Sequence, residues 1–149
     1  MTLDWPAVSV SEADVEHVRA AFAEFNERRA IFTPADLDAY FERYYAPGAV
    51  IENVESFPIP ARYEGIEGYR SWYEESYGPY EDVRWEVMGV DPVGDRVVAR
   101  TRVSGRPRGE DVLLEVALGI TYEMRDGRIG HVRVYLSHDR ALAAAADGV

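Results

Sequence analysis

The sequence predicts a single α+β domain over its 149 residues, on the basis of three observations. Apolar residues recur at helical spacing in the first half of the chain, whereas they alternate with polar residues in most of the second half. Gly, Pro and Asp residues divide that second half into segments of strand length. Helices followed by a run of strands are typical of the α+β class, and a chain of this length is most simply one domain.

Three helices are predicted before the main run of strands, over residues 11–29, 33–48 and 65–79. In each segment the apolar side chains form one stripe that can face a sheet. Ser11 and Asp14 stand at the spacing of a capping box at the start of the first helix. Thr33 is the predicted N-cap of the second helix, with Pro34 at its first position and Pro47-Gly48 at its end.

Five strands are predicted from β-type alternation, over residues 49–57, 81–90, 95–105, 111–124 and 128–136. The first of them precedes the third helix, and a loop rich in Pro and Gly joins the two. Turn-like segments separate the other four strands, so that they form an antiparallel sheet. A short alanine-rich helix over residues 138–149 ends the chain.

The last hairpin decides which side chains face the helices, and two turns are compatible with its sequence. A two-residue turn at Asp126-Gly127 places His131 opposite Tyr122 on the neighbouring strand. A three-residue loop that begins at Arg125, with Gly127 in the left-handed conformation, moves each partner by one residue. We choose the three-residue loop because it keeps the apolar residues of both strands on one face.

This register predicts an apolar inner face and a polar outer face. The predicted pairs are Val132 with Ile120, Val134 with Leu118, Leu136 with Val116, Gly119 with Arg133 and Ala117 with Tyr135. The predicted outer face carries Arg100, Arg102, His131, Arg133 and Tyr135, with Glu115 near Arg100. Three interpretations are compatible with this face: a solvated charged surface, a homodimer interface and a catalytic site. Its mixture of arginine and aromatic side chains favours the homodimer interface.

Composition excludes several classes of function. The formal net charge is -11 and the basic residues form no stripe, so we expect neither nucleic acid nor a membrane as partner. All 16 basic residues are Arg, and there is no Cys, which excludes a Schiff-base lysine, a cysteine nucleophile and a thiolate metal site. Three scattered histidines predict no metal site, and we expect no cofactor.

The expected location is the cytoplasm. The first ten residues lack a basic segment followed by an apolar run, so we expect no signal peptide. No apolar stretch approaches the roughly 20 residues that span a bilayer. The absence of Cys is compatible with a reducing compartment.

Several motifs of the chain, in this order and spacing, resemble one known family. They are "FNERR", "DLDAYFERYYAPGAVIEN", "YEGIEGYRSWY", "GDRVVARTRVSGRPRG" and "EMRDGRIGHVRVYL". Together they resemble the SnoaL-like branch of the nuclear transport factor two-like superfamily, over most of the chain. The resemblance implies a curved antiparallel sheet that forms a cone covered by the three N-terminal helices, with the short C-terminal helix at its end. It also implies a cavity between sheet and helices, and a homodimer formed through the outer face of the sheet.

The enzymes of this superfamily supply a test of catalytic residues. The resemblance places Asn53 at the proton-abstracting position of the steroid isomerase, and Ala21 and Ile120 at its two oxyanion-binding positions. An amide cannot take up a proton at working pH, so isomerase chemistry is not expected. The acidic residues of the epoxide hydrolases and of the cyclases are also missing, since Ser137 stands at the cyclase position. The catalytic residues are therefore left unassigned.

The predicted cavity combines apolar and aromatic walls with a few polar groups. Its predicted ligand-binding residues are Asn53, Tyr69, Trp72, Tyr73, Thr101, Ile120, Tyr122, Val134 and Leu136. Such a pocket suits a small, flat, hydrophobic metabolite, and a protein that binds one is the predicted function. A cofactor-independent cyclase, isomerase or dehydratase acting on a polyketide- or terpenoid-like substrate is the alternative, and a filled, purely structural core is a third. Glu52 alternates away from the cavity, but a distorted strand would turn it inward and restore a base.

Overall fold

The computed structural model describes residues 10–28, 32–55 and 62–148. Its elements, in chain order, are α1 (Glu12–Arg28), α2 (Pro34–Tyr44), β1 (Tyr45–Asn53), β2 (Arg62–Glu64), α3 (Gly65–Tyr77), β3 (Tyr80–Val93), β4 (Arg96–Pro107), β5 (Leu114–Arg125), β6 (Arg128–Tyr135) and α4 (His138–Asp147). Parts of the predicted elements at residues 29, 56–57 and 149, and the first nine residues, lie outside the described part of the chain.

The six strands form one open, curved sheet in the order β2-β1-β6-β5-β4-β3, which confirms the α+β cone. Four of its five strand pairs are antiparallel, whereas β1 and β6 run parallel. The purely antiparallel sheet of the prediction is thus corrected at one pair. The short strand β2 lies where a plain loop was predicted, because Tyr63 pairs with Ile51 and is itself buried.

The predicted helix starts are confirmed by their caps. The Asp14 N–H donates to the Ser11 hydroxyl at 3.1 Å, and the Ser11 N–H donates to the Asp14 carboxylate at 3.3 Å. The Thr33 hydroxyl accepts from the Asp36 N–H at 3.1 Å. The predicted end of the second helix is wrong, because the chain becomes extended at Tyr45 and enters β1 without a loop.

The hairpin of β5 and β6 combines a tight turn with a bulge. Asp126 and Gly127 have φ values of 52° and 81°, as a two-residue type I′ turn requires. A register shift then follows between Glu123 and Met124. The predicted three-residue loop is therefore wrong, whereas Gly127 is left-handed as predicted.

The bulge preserves the predicted inner face while it changes the partners. Tyr122 now lies opposite Val132, and Ile120 lies opposite Val134. The two pairs predicted for Gly119 and Ala117 are wrong as well, since Gly119 faces Tyr135 and the pairing with β6 stops there. One extra residue in β6 compensates for the short turn, so the apolar side chains of both strands stay together.

The outer face is partly covered by α4, which packs across β4 and β5. Val98, Tyr135, Ala141 and Ala145 form a small buried cluster there. The fit is close at Gly119, where an added Cβ would lie 2.6 Å from the Cβ of Ala141. The prediction of an outer face open along its whole length is therefore corrected.

The strand at one end of the sheet, β3, is tied to α1 through a side-chain amide. Asn26 donates from Nδ2 to the carbonyl oxygen of Trp85 at 2.7 Å and accepts from the Trp85 N–H at 2.8 Å. These two bonds hold Trp85 in place beside the core formed by the helices and the inner face. Within the described residues, no helix is both long and apolar enough to cross a membrane.

Candidate ligand-binding cavity

A cavity of about 650 Å³ lies between the inner face of the sheet and the three N-terminal helices. Every strand except β2 contributes to its walls, and so do α1, α2 and α3. The volume falls in the range of natural small-molecule sites. The inner face is therefore not completely filled by the chain's own side chains.

The walls of the cavity are dominated by aromatic side chains. Ten of the lining residues are aromatic: Phe22, Phe25, Tyr40, Tyr45, Tyr69, Trp72, Tyr77, Tyr80, Trp85 and Tyr122. Many of these rings contact one another at an angle, as with Phe22 and Tyr122, whose planes are perpendicular. Such packing gives a rigid, apolar wall with few rotatable groups.

Phenol hydroxyls supply most of the polar groups deep in the cavity. The Tyr69 hydroxyl interacts with the Tyr45 hydroxyl, and the Trp85 indole N–H interacts with the Tyr77 hydroxyl. The Tyr122 phenol lies close enough to those of Tyr45 and Tyr77 to interact with both electrostatically. Each of these phenols carries an O–H group that can donate a hydrogen bond to an acceptor on a bound molecule.

Burial keeps these phenols neutral. Removal from water raises the pKa of Tyr69, Tyr77 and Tyr122 well above the ordinary value of 10.0. The pKa of Tyr45 is also raised by burial, and the hydrogen bond from Tyr69 offsets only part of that effect. At neutral pH these groups can donate hydrogen bonds, but they cannot act as anionic bases.

We call the opening of the cavity the rim and define it by the solvent-exposed lining residues Glu75, Leu114, Glu115 and Val116. Two of these four residues are carboxylates. Glu75 lies on α3 beside the Tyr63 phenol, and burial together with this carboxylate raises the pKa of Tyr63 to about 12. In the part of the chain that the structure describes, no Arg or His lines the cavity. Nor do the described residues contain a cluster of His, Asp and Glu that could hold a metal ion.

Six of the nine predicted ligand-binding residues lie in the wall of this cavity: Asn53, Tyr69, Trp72, Ile120, Tyr122 and Val134. Asn53 is 9% exposed and faces inward from β1, next to Val134 on β6. Ala21, Asn53 and Ile120, which the family resemblance equates with isomerase catalytic positions, all line it. The three positions thus lie in the wall of one cavity, although none of the three side chains has the chemistry of its isomerase counterpart.

Three predicted site residues lie outside the wall. Leu136 follows the end of β6 and is 40% exposed, because the pairing with β5 stops at Tyr135. Thr101 faces inward but is fully buried, and its hydroxyl donates to the carbonyl oxygen of Leu118 at 2.8 Å. Tyr73 packs against Phe25, Phe32 and Tyr77 behind the wall.

Several lining residues were missed by the sequence analysis. Tyr45 was assigned to a helix, since the second helix was predicted to end at residue 48 whereas α2 ends at Tyr44. Tyr40 and Tyr77 lie on predicted apolar stripes, where periodicity alone does not separate a cavity wall from a filled core. The rim residue Glu75 is polar and gave no signal, whereas Glu115 was assigned to the outer face near Arg100 but lines the cavity.

Glu52 faces the outer side of the sheet, as its alternation predicts. Its carboxylate is hydrogen-bonded to His131 Nε2 and lies 3.6 Å from Arg62 Nη1. His131 and Arg133 also face outward, where Glu123 contacts both of them. The cavity therefore receives neither the imidazole nor the carboxylate of this group.

The predicted dimer surface changes in two details. Tyr135 is 7% exposed and lies beneath α4 of its own chain, so it is not available to a second copy. Arg100 pairs with Asp91 at 3.3 Å rather than with Glu115, which lies opposite Ser104. Arg102 remains exposed, with its guanidinium 4.0 Å from Glu86.

Comparisons with known proteins agree with the architecture. The model of the SnoaL-like domain family matches residues 18–132. No curated protein sequence matches the chain.

Solved structures show the same fold at low sequence identity. A putative SnoaL-like polyketide cyclase from Jannaschia sp. CCS1 is 18% identical, with 97% of this chain and 98% of that one covered and a TM-score of 0.65. TerC, co-crystallised with polyporic acid, is 15% identical over 91% and 99% of the two chains, with a TM-score of 0.68. An NTF2-like protein from Burkholderia xenovorans LB400 is 16% identical over 93% and 98%, with a TM-score of 0.63. At these identities the likeness establishes the fold alone.

Proposed function

This chain belongs to the SnoaL-like domain family, and we propose that its cavity binds a small, flat, largely hydrophobic molecule that carries a carbonyl-type oxygen. The observation that carries the proposal is the group of neutral phenols inside an aromatic cavity of about 650 Å³. Aromatic walls favour a flat apolar body, while phenol O–H groups favour a hydrogen-bond acceptor on it. The co-crystallisation of TerC with polyporic acid supports this type of ligand for the fold.

Binding without turnover is favoured by the position of the titratable groups. Proton transfer needs a base within hydrogen-bond reach of the reacting atom. Glu52 faces the other side of the sheet, and the only carboxylates among the described lining residues are Glu75 and Glu115 at the rim. The deep part of the cavity thus offers donors without a base.

A cofactor-independent cyclase, isomerase or dehydratase is the second candidate function, with a polyketide- or terpenoid-like substrate. It is favoured by the presence of Glu75 on the same helix as Tyr77 and in the same cavity. In such an enzyme the phenols would polarise a carbonyl while Glu75 takes up a proton. The resemblance to a putative polyketide cyclase supports this candidate.

The experiment that tests the binding proposal uses two probes of one shape, 2-methyl-1,4-naphthoquinone and 2-methylnaphthalene. Quenching of Trp72 and Trp85, which line the cavity, reports binding, and the absence of Cys excludes thiol addition to the quinone. We expect both probes to bind and the quinone to bind more tightly. Tyr122→Phe is expected to weaken the binding of the quinone about 5- to 10-fold, which corresponds to the loss of one hydrogen bond. The affinity for 2-methylnaphthalene is expected to stay unchanged.

The matched control is Tyr135→Phe, which removes a phenol hydroxyl from the opposite side of the sheet, beneath α4. It is expected to leave both affinities unchanged. Failure of both probes to bind contradicts the proposal, and so does an equal loss of quinone affinity in the two variants.

We also propose that two copies of this chain associate through the part of the outer face that α4 leaves open, around Arg100, Arg102, His131 and Arg133. A mixed surface of arginine and aromatic residues is favourable for such contacts, although Tyr135 does not take part. Light scattering measures the mass directly: a dimer that becomes monomeric in Arg102→Glu supports the proposal, and a monomeric wild-type chain contradicts it.

A further inference from the structure

We propose that the ligand carries an organic ammonium group, quaternary or protonated tertiary, and that this group sits at the inner edge of the rim between aromatic rings and Glu75. The inference rests on the proposed function and deepens it, since it assigns a charge to one end of the flat molecule. Three observations support the inference: the ring geometry at this end of the cavity, the sign of the charges on the lining residues and the position of the neighbouring arginines.

Two rings on α3, the helix that carries Glu75, form a corner in the cavity wall. The Trp72 and Tyr77 rings lie 5.2 Å apart between centroids, with their planes at 86° to each other. Tyr80 follows at the start of β3 and lines the same part of the cavity. Perpendicular electron-rich ring faces are the surfaces on which a trialkylammonium group is held by cation–π attraction.

The carboxylate that completes this corner comes from the same helix. Glu75 stands three residues after Trp72 on α3, so both side chains project from one side of the helix. Glu75 is exposed and lines the cavity, and Glu115 borders the opening from β5. A cation at the corner would therefore meet a counter-charge without being buried beyond the reach of water.

The lining residues that the structure describes include no group that repels a cation. All basic residues in the chain are Arg, and none of those in the described residues lines the cavity. The arginines of the adjoining strand end are engaged elsewhere: Arg108 donates to the carbonyl oxygen of Gly78 and lies 3.6 Å from Glu81, while Arg106 is bonded to Asp82. With a net charge of -11, the whole protein also favours a positive ligand over a negative one.

The same features distinguish an organic cation from a metal ion. A divalent metal requires several oxygen or nitrogen ligands at one point, and the described residues form no such cluster. An alkylammonium group carries its charge over a larger, weakly hydrated surface, so aromatic faces can replace its water. The corner of Trp72 and Tyr77 fits that second class of ligand.

The test compares phenyltrimethylammonium with tert-butylbenzene, which has the same shape and no charge. Tryptophan fluorescence or calorimetry measures both dissociation constants on the full chain at low and physiological salt. We expect the cation to bind at least fivefold more tightly than the hydrocarbon, with a smaller preference at higher salt. Equal affinities for the two probes overturn the ammonium inference but leave the proposed hydrophobic site intact. If the cation binds while neither tert-butylbenzene nor 2-methylnaphthalene does, the proposed function itself is contradicted, because the cavity then does not recognise an apolar body.

Glu75→Gln is the decisive variant, with Glu74→Gln as its matched control on the same helix outside the lining. Glu75→Gln is expected to weaken the binding of phenyltrimethylammonium three- to tenfold and to leave the affinity for tert-butylbenzene unchanged. Glu74→Gln is expected to change neither affinity. Trp72→Leu keeps an apolar side chain while it removes the ring face, so it is expected to reduce the preference for the cation to less than twofold. An undiminished preference for the cation in both Glu75→Gln and Trp72→Leu contradicts the assigned seat.

Discussion

The two faces of the sheet are built from the same alternating strands, but they solve opposite packing problems. On the inner face, aromatic side chains from six elements surround a cavity of about 650 Å³. On the outer face, α4 packs Ala141 and Ala145 against Val98 and Tyr135, with a glycine at the closest approach. The rest of the outer face carries ion pairs such as Arg133 with Glu123.

The difference shows how residue size determines where space remains in a protein. Large, flat rings on several helices and strands cannot interdigitate completely, because each ring is held by its neighbours at a fixed angle. Small residues let a helix approach a sheet until no gap is left. The inner face is therefore suited to holding a ligand, and the outer face to fixing the chain's own C-terminal helix.

The largest expected effect concerns the aromatic wall. Phe41→Ala removes a ring that is 3% exposed, stacked on Tyr45 and in contact with Tyr69. We expect a loss of roughly 3–5 kcal/mol in the free energy of unfolding, measured by urea denaturation. A loss of stability below about 1 kcal/mol would show that the rings are loosely packed. The comparison of the two faces would then be wrong.

An intermediate effect is expected on the outer face. Gly119→Val places a branched side chain where a Cβ alone would lie 2.6 Å from both the Ala141 Cβ and the Ser137 carbonyl oxygen. Overpacking of this kind costs about 1–3 kcal/mol in the free energy of unfolding. The control is Ala117→Val, two residues earlier on the same face at an exposed position, where we expect a change of less than about 0.5 kcal/mol. Equal losses in the two variants would show that α4 does not fit closely against the sheet.

The smallest expected effect concerns the ion pairs and depends on pH. Partial burial alone would raise the pKa of Glu123, but the hydrogen bond and charge of Arg133 outweigh it and lower the pKa below its ordinary value of 4.5. A carboxyl with a depressed pKa in the folded state contributes stability above its unfolded pKa and loses it as the pH falls through its folded pKa.

Glu123→Gln is therefore expected to be less stable than the wild type at pH 7, by under about 1 kcal/mol because the pair is partly exposed. The deficit should shrink as the pH is lowered from about 5 to 3, in urea titrations at several pH values. Glu42→Gln, on the exposed side of α2, is the control and should show no such trend. A deficit that grows towards low pH contradicts the assigned role of Arg133.

Alternation in the sequence was enough to predict the two faces. Val132 and Val134 point inward and His131 and Arg133 point outward, as predicted, since burial of one face determines the parity of each strand. The partners within the hairpin were wrong because a bulge adds one residue without changing which side is buried. The sequence thus predicts which face of the sheet a side chain occupies better than it predicts the residue opposite it on the neighbouring strand.

The cavity itself was harder to predict than its position. The inner-face pattern led to Tyr122 and the family resemblance led to Asn53, and both residues line the cavity. Leu136 obeys the same pattern but lies beyond the last strand pair and is 40% exposed. The position of α4 on the outer face depends on Gly119 meeting Ala141, two small residues far apart in sequence whose contact no local pattern reveals.

The two hydrogen bonds between Asn26 and the Trp85 backbone have a consequence for the protein in concentrated solution. Terminal strands such as β3 expose backbone N–H and C=O groups that can recruit an extended segment from another molecule and begin aggregation. At Trp85 both groups are already occupied by an amide from the chain's own first helix. One asparagine thus blocks the growth of the sheet at this point, in addition to the charged Arg84 and Glu86 that flank Trp85 on the same strand.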